Sequence, residues 1–126
     1  MHALLDTVAF IVAVESPKLL GKRAAAILAD ENAVLDLSAL SITEIALKAA
    51  KGNLDLSRHD IQRGLDDLQV RILPYTADHA FRFLDLPSHH RDPFDRQIIA
   101  QALTEQIPVI TSDESFKLYA GLTVIW

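Results

Sequence analysis

The sequence contains no cysteine. This absence excludes a disulfide framework and any metal site built on thiolates. Long apolar runs are missing too, since the longest one near the start, VAFIVAV at 8–14, is too short to span a bilayer. No positively charged segment precedes this run, and Asp6 interrupts the apolar pattern, so a signal peptide is not indicated. We therefore expect a cytoplasmic protein that has no membrane partner.

An excess of positive charge is also missing. The 126 residues include 12 Lys and Arg against 17 Asp and Glu, which gives a net charge of −5. This balance argues against a protein that binds nucleic acid non-specifically through a basic face. It does not exclude an enzyme that meets the phosphates with bound cations, and such an enzyme needs acids in its site. Half of the residues are hydrophobic, so the chain can bury a core, and we expect one domain over residues 1–126.

Short apolar segments alternate with segments of helical periodicity along the chain. The apolar segments predict strands at 2–7, 33–38, 70–73, 108–111 and 122–126. The periodic segments predict helices at 8–16, 21–30, 41–52, 56–69, 76–86 and 93–106, with a short turn of helix at 114–119. This alternation is typical of an α/β protein, a three-layer sandwich in which a central parallel sheet of about five strands carries helices on both faces.

Two acids follow predicted strands. Asp6 ends the first strand, and Asp113 follows the fourth in the segment ITSD, after Thr111 and Ser112. Either acid could simply cap the helix that comes next. However, ligands of parallel sheets bind beyond the carboxyl ends of the strands, where the strand order reverses. If the first and fourth strands are neighbours at that point, Asp6 and Asp113 face each other across the crevice.

Glu44 lies in the segment SITE and has two interpretations. If the helix begins at Ser41, Ser41 and Glu44 form a capping box. If the helix begins earlier, at Ser38, Glu44 leaves the first turn and loses the capping role. It can then pair with Lys48, one turn further along the helix. The sequence leaves both interpretations open.

The segment HHRDPFDRQIIAQAL, residues 89–103, contains Asp92 and Asp95 on either side of Pro93. Asp92 before Pro93 is typical of a helix start, and Asp95 in the first turn complements the helix dipole. Helical spacing also places Asp95 on the face of the apolar stripe Ile98, Ile99 and Ala102. An acid at the rim of a buried face needs a partner. We therefore expect Asp95 to belong to a site, and Asp92 to act mainly as a cap.

Four acids can converge on one crevice: Asp6, Glu44, Asp95 and Asp113. Carboxylates a few ångströms apart repel one another, and a hard divalent cation with oxygen ligands relieves the repulsion. A zinc site is not indicated, because the chain has neither cysteine nor a histidine pair with the appropriate spacing. His89 and His90 are adjacent, and on a loop we expect them to contact solvent or substrate rather than metal.

In these segments the chain resembles the PIN-domain family, most closely the toxin component of VapBC-type toxin–antitoxin pairs. Four motifs occur in the order of the family: LLDT, SALSITEIALKAAKGNL, HHRDPFDRQIIAQAL and ITSDESF. The resemblance implies a PIN-like fold and a ribonuclease that depends on Mg²⁺ or Mn²⁺. Its catalytic and metal-binding acids would match Asp6, Glu44, Asp95 and Asp113. The resemblance further implies a homodimer that is silenced by a small antitoxin protein, whose apolar and basic segment would lie in a groove of the toxin.

Other polar residues could support this chemistry. Three hydroxyl residues could hold carboxylates or metal-bound water: Thr7, Thr111 and Ser112. Asp92 could lie beside them. Three basic residues could contact phosphates of the RNA, although a solvated helix charge is the commoner role for such residues: Lys48, Arg91 and Arg96.

Two alternative functions come from other classes. A non-catalytic PIN module would bind RNA or a protein partner without metal and without turnover. A phosphoryl-transfer receiver domain also places acids at strand ends of a parallel sheet. It expects an adjacent pair of acids after the first strand, however, and HALLDT contains one.

Overall fold

Five short strands form the centre of the molecule, which a computed structural model describes from residue 1 to residue 126. The strands are β1 (His2–Leu5), β2 (Val34–Ser38), β3 (Val70–Leu73), β4 (Val109–Ile110) and β5 (Val124–Ile125). Their order across the sheet is β3-β2-β1-β4-β5, and all neighbours are parallel. The predicted parallel sheet is confirmed. Its last two strands are shorter than predicted, with 2 residues each.

Helices connect these strands. The six α-helices are α1 (Thr7–Glu15), α2 (Lys22–Ala29), α3 (Ala39–Ala50), α4 (Arg58–Asp67), α5 (Ala77–Asp85) and α6 (Pro93–Glu105). Two short 3-10 helices span Pro17–Leu19 and Glu114–Leu118, and the first of them lies where the sequence predicted no element. None of the helices combines the length and the apolar character that crossing a bilayer requires.

Alternate residues of the strands face two separate hydrophobic cores. Leu5 of β1 packs in one core with Phe10 of α1 and Ile45 of α3. Leu4, its neighbour in the chain, packs in the other core with Ile98 of α6. Because successive side chains of a strand point to opposite faces, β1 is buried on both sides. This arrangement produces the three layers that the sequence predicts.

Two helices begin earlier than predicted. α1 begins at Thr7, which we had expected in the first strand, because Asp6 already acts as its N-cap. α3 begins at Ala39, with Ser38 as N-cap, rather than at residue 41. Glu44 is therefore outside the first turn of α3. The capping-box interpretation of Glu44 is wrong, and the alternative with the earlier helix start is confirmed.

Gly64 explains how α4 packs on α1. Glycine lowers the helix propensity of this segment. A Cβ atom at this position, however, would lie 2.6 Å from Cγ2 of Val14, which is closer than such atoms can approach. The missing side chain therefore lets the two helices make direct contact.

The strand order reverses between β1 and β4. From β1 the chain continues to β2 and β3 on one side, whereas β4 and β5 lie on the other side. Leu5 of β1 lies opposite Ile110 of β4. The first and fourth strands are thus neighbours, as expected. The residues that follow them, Asp6 and Thr111, lie side by side at the carboxyl edge of the sheet.

Candidate metal centre at the carboxyl edge of the sheet

Asp6 lies at this edge and is 4% exposed. Its Oδ1 accepts a hydrogen bond from the backbone N–H of Ala9 at 2.7 Å, which caps α1. Its Oδ2 accepts a hydrogen bond from the hydroxyl of Thr111 at 2.5 Å. Burial raises the pKa of Asp6 to about 6, and the hydrogen bonds oppose this rise without cancelling it. The charges of Glu44 and Asp113 act in the same direction as burial, so Asp6 is both a helix cap and a member of an acid cluster.

Thr111 connects Asp6 to Asp113. Besides its bond to Asp6, the Thr111 hydroxyl accepts a hydrogen bond from the backbone N–H of Asp113 at 3.0 Å. Oδ1 of Asp113 in turn accepts bonds from the backbone N–H of Ser115 at 2.9 Å and from its hydroxyl at 2.7 Å. Asp113 therefore caps the second 3-10 helix and faces the cluster at the same time. Ser112 is exposed and makes no side-chain hydrogen bond, so the structure does not join it to the acids.

The first turn of α6 carries Asp92 and Asp95. Oδ1 of Asp92 accepts hydrogen bonds from the backbone N–H groups of Phe94 at 2.8 Å and of Asp95 at 3.4 Å, so Asp92 is the predicted N-cap. Burial raises the pKa of Asp95 to about 7. The charges of Asp92 and Asp6 add to this effect, in that order. Asp95 thus belongs to the same electrostatic cluster as Asp6, and Asp92 acts on it from the cap position.

Glu44 enters the cluster from α3. Its Oε2 forms an ion pair with Nζ of Lys48 at 3.0 Å, one turn further along the helix. Its Oε1 is buried and has no hydrogen-bond partner. The charge of Glu44 also contributes to the raised pKa values of Asp6 and Asp95. Helix α3 therefore brings a fourth carboxylate to the edge, with one oxygen unpaired.

His90 contacts two of the acids directly. Its Nε2 lies 2.9 Å from Oδ2 of Asp113 and 3.2 Å from Oδ2 of Asp95. Partial burial alone would raise the pKa of Asp113, but hydrogen bonds from Ser115 and His90 outweigh this effect and hold the pKa below its ordinary value. We had expected both adjacent histidines to contact solvent or substrate. His89 is exposed to solvent, in agreement with this expectation, whereas His90 faces the acid cluster.

The position of His90 in the sequence is one signal for its role. His90 lies two residues before the N-cap Asp92, and its Nδ1 accepts a hydrogen bond from the backbone N–H of Asp92 at 3.0 Å. Side chains of Ser, Thr, Asn and Asp often bond to nearby backbone groups at helix starts, and the ring of His90 makes a bond of the same kind. With Nδ1 bonded in this way, the other ring nitrogen of His90 is directed toward the start of the helix. Here the start of the helix carries Asp95.

The other predicted residues are engaged elsewhere. The hydroxyl of Thr7 donates to the hydroxyl of Ser41 at 2.8 Å and thereby joins α1 to α3. The guanidinium of Arg96 lies 4.7 Å from the centre of the Phe83 ring and donates to the carbonyl that follows α5 at 3.4 Å. Neither Arg96 nor the exposed Arg91 forms an ion pair with an acid. The phosphate contacts suggested for these arginines stay predictions.

The cluster fits a hard divalent cation. Its donors are carboxylate oxygens, which Mg²⁺ and Mn²⁺ prefer. Oε1 of Glu44 is a buried acceptor without a partner, a costly situation that a cation or a water would relieve. The raised pKa values of Asp6 and Asp95 reflect the same excess of buried negative charge. The site therefore has both the ligands and the uncompensated charge that such a cation satisfies.

Comparisons with known proteins agree with this architecture. The family model described as PIN domain matches residues 3–122. A search by sequence among curated proteins finds no match. Three of the solved structures that share the fold illustrate the likeness. In the crystal structure of VapBC2 from Rickettsia felis bound to a DNA fragment from their promoter, the matched chain is 18% identical, with a TM-score of 0.76 over 99% of this chain and 98% of that one.

The other two structures align over a similar share of the chain. FitAcB from Neisseria gonorrhoeae is 24% identical, with a TM-score of 0.63 over 98% of this chain and 96% of that one. A toxin-antitoxin complex from Klebsiella pneumoniae is 23% identical, with a TM-score of 0.67 over the same shares of 98% and 96%. At these identities the likeness is one of fold, and it confirms the predicted PIN-like sandwich.

Proposed function

The chain belongs to the PIN domain family, and from that premise we propose that it is a metal-dependent endoribonuclease, the toxin component of a toxin–antitoxin pair. One observation carries the proposal. Four acids meet at the switch point of a parallel sheet, and one of them has a buried oxygen without a partner: Asp6, Glu44, Asp95 and Asp113. The toxin role is supported by the similar solved structures, one of which is described as a toxin-antitoxin complex.

The acids would hold Mg²⁺ or Mn²⁺. Asp6, Asp95 and Asp113 are the proposed ligands, and Glu44 would bind directly or through water. When bound, such a cation lowers the pKa of a coordinated water and offsets the negative charge of the scissile phosphate. The net charge of −5 supports a role for a cation, because the chain has no excess of basic residues that could offset the charge of the phosphate.

The surrounding side chains hold the carboxylates in place. Thr111 orients Asp6, and Ser115 orients Asp113, each through a short hydrogen bond. Lys48 neutralises one oxygen of Glu44 and leaves Oε1 free for the cation or a water. Such preorganised partners keep ligands in the geometry that the reaction requires. We propose single-stranded or looped RNA as the substrate, since unpaired bases can be splayed out and read.

The decisive experiment is RNA cleavage by the purified protein with added Mg²⁺ or Mn²⁺. We expect cleavage by the wild type and a loss of about 100-fold or more in Asp6→Asn and Asp95→Asn, because each removes a carboxylate that would hold the cation, and the cation offsets the negative charge of the transition state. Asp55→Asn is the matched control, since Asp55 is exposed and makes no hydrogen bond. Undiminished cleavage in either site variant would show that the site is assigned wrongly. RNA binding without cleavage would instead support the non-catalytic module.

A groove between α3 and α4 is the proposed contact for the antitoxin. It forms a cavity of about 480 Å³ with six apolar side chains: Ile42, Ala46, Leu56, Ile61, Leu65 and Ile72. An apolar segment could bury its side chains there, next to Arg58, and basic residues further along the segment would be attracted by the net negative charge of the chain as a whole. The similar solved structure that is described as a toxin-antitoxin complex supports a protein partner. The homodimer stays a prediction, which sedimentation of the purified chain would test.

Ile72→Lys tests the groove, because Ile72 lines it and is 39% exposed. A charge in an apolar contact costs about 1–3 kcal/mol, so we expect binding of the cognate antitoxin to weaken by about tenfold or more. Leu84→Lys is the control, since Leu84 on α5 is 75% exposed and lies outside the groove. Calorimetric titration with the cognate antitoxin provides the measurement. Equal affinities for the two variants would contradict the groove assignment.

A further inference from the structure

The ring of His90 is held from several sides within the acid cluster. The backbone N–H of His90 donates to the hydroxyl of Tyr119 at 2.9 Å. The ring stands edge-on to Phe116, with centres 5.8 Å apart and planes at 88°. Nδ1 accepts the hydrogen bond from the backbone N–H of Asp92 at 3.0 Å. These contacts fix the ring in one orientation.

The contact at Nδ1 decides which nitrogen carries the proton of the neutral ring. A backbone N–H can only donate, so Nδ1 has to accept and cannot carry a proton itself. The proton of neutral His90 is therefore on Nε2. This Nε2–H donates a hydrogen bond to Oδ2 of Asp113 at 2.9 Å, and Oδ2 of Asp95 lies 3.2 Å from the same nitrogen. His90 is thus a hydrogen-bond donor to Asp113 that also lies in close contact with Asp95.

The same geometry argues against a metal bond to His90. Its Nε2 and the carboxylate oxygens of Asp95 and Asp113 lie within 4.8 Å of one another, so distance alone would allow a shared ion. A cation, however, binds an unprotonated nitrogen of neutral imidazole. Binding through Nε2 would move the proton to Nδ1, where it would face the N–H of Asp92, donor against donor. The turn that leads into α6 would lose a hydrogen bond.

We propose that His90 is a positioning residue, whose Nε2–H holds the carboxylate of Asp113 beside that of Asp95 and leaves the cation to oxygen ligands alone. This inference rests on the proposed metal-dependent function. Asp95 belongs to α6 and Asp113 follows β4, and no direct bond between the two elements fixes their separation at this point. Hydrogen-bond donors to ligating carboxylates orient them and tune their affinity for the metal. An all-oxygen ligand set favours Mg²⁺ and Mn²⁺ over metals that prefer imidazole.

Two substitutions at position 90 distinguish the role of the contact at Nδ1 from the role of the contacts at Nε2. Asparagine places its amide oxygen near the position of Nδ1, so His90→Asn can keep the bond from Asp92 but does not reach the acids. Glutamine places its amide donor near the position of Nε2, so His90→Gln can keep the hydrogen bond to Asp113 and the contact with Asp95. We expect His90→Asn to weaken Mn²⁺ binding by about 10- to 100-fold, and His90→Gln to retain most of the affinity. A role confined to the structure of the loop predicts the reverse order.

Calorimetric titration of the metal-free protein with Mn²⁺ measures this order. His89→Asn is the control, because His89 is exposed and contacts the ring of Tyr119 rather than an acid. We expect it to leave the affinity for Mn²⁺ unchanged. The reverse order of the two position-90 variants, or equal affinity in both, would overturn the positioning role.

Spectroscopy tests the nature of the contact without an activity assay. We expect the ring nitrogens of the metal-free protein, observed by ¹⁵N NMR, to show the proton on Nε2. We expect pulsed EPR of the Mn²⁺-loaded protein to show no directly bound imidazole nitrogen. A direct Mn–N coupling would overturn the proposal and leave the metal-dependent ribonuclease intact. Mn²⁺ binding in the expected order without RNA cleavage would overturn the ribonuclease and support the role of His90. Failure of the wild type to bind Mn²⁺ would overturn both.

Discussion

A buried carboxylate has to be held by hydrogen bonds, an ion pair or a cation, and the acids of this site differ in which of these they have. Asp113 has hydrogen bonds on both oxygens, and its pKa lies below the ordinary value. Asp6 also has two such bonds, yet its deeper burial raises its pKa to about 6. Glu44 has one oxygen paired with Lys48 and one unpaired. At the scale of the residue, the partners of these carboxylates therefore neutralise their negative charge only in part.

This charge predicts how the stability of the metal-free protein depends on pH. Asp6 and Asp95 have ordinary pKa values of 3.8, raised in the folded protein to about 6 and about 7. The folded protein therefore binds these protons more tightly than the unfolded chain does. The free energy of unfolding contributed by the two acids falls as the pH rises from about 4 to about 7. For Asp6 alone, this loss amounts to about 3 kcal/mol at neutral pH.

Urea denaturation in the presence of a chelator, at pH 5 and pH 8, measures this effect. We expect Asp6→Asn to reduce the difference in stability between the two pH values, because asparagine can keep the cap but does not titrate. Asp55→Asn, at an exposed position, should leave the difference unchanged. Added Mn²⁺ should stabilise the wild type most at pH 8, where the acids are ionised. An identical pH dependence in the wild type and Asp6→Asn would contradict this account.

Helix α6 shows how one element performs a structural and a chemical task in the same turn. Asp92 and Pro93 begin the helix, and its apolar stripe packs in the second core through Ile98 and Ile99. The same start brings Asp95 to the acid cluster. Asp92 raises the pKa of Asp95 through its charge, but its own oxygen is bonded to the backbone of the helix. At the scale of the element, Asp92 therefore positions Asp95, which fits its predicted role as a cap.

Two substitutions at position 92 separate the cap from the charge. Asp92→Ala removes both, and we expect it to lower the free energy of unfolding by about 1 kcal/mol. Asp92→Ser keeps a side-chain acceptor for the helix start and removes only the charge. We expect it to retain the stability and most of the RNA cleavage of the wild type. A loss of cleavage in Asp92→Ser as large as in Asp95→Asn would instead make Asp92 a member of the site.

The sheet as a whole carries a second charged cluster, which the sequence did not predict. Asp36 on β2 is 2% exposed and accepts a hydrogen bond from Nε of Arg71 on β3 at 2.9 Å. It also lies 2.6 Å from Nε2 of His2 on β1. Burial alone would raise the pKa of Asp36, but the bonds from Arg71 and His2 outweigh it and lower the pKa. This cluster ties three neighbouring strands together, away from the switch point.

Arg71→Met tests the contribution of this cluster to the stability of the whole molecule. We expect a lower midpoint of urea denaturation at pH 7, because the buried carboxylate of Asp36 loses its principal partner. The stabilisation belongs to the ionised form of Asp36, so it is present above the ordinary pKa of 3.8 and is lost as the pH falls through the lower pKa of the folded state. Arg23→Met, at an exposed position on α2 without an ion pair, is the control. Equal midpoints for both variants would contradict the role of Arg71.

Local sequence was sufficient to predict the alternation of strands and helices and the cap at Asp92. These features depend on side-chain periodicity and on hydrogen bonds between residues a few positions apart. The start of α3 was left open, because Ser38 and Ser41 are both good caps and only the packing of the helix selects between them. The family motifs located the acids along the chain.

Only the tertiary structure decided which of these residues meet. Asp6 and Asp113 come together because β1 and β4 are neighbours, and strand order is a long-range property that no local pattern encodes. Arg96 follows Asp95 directly, yet its guanidinium lies on Phe83 of α5 rather than among the acids. His90 faces Asp95 and Asp113 because its ring is held by a backbone N–H and by the aromatic side chains around it. The sequence thus determines which charged residues the site contains. The packing of elements that are distant in the chain determines how far apart these residues lie.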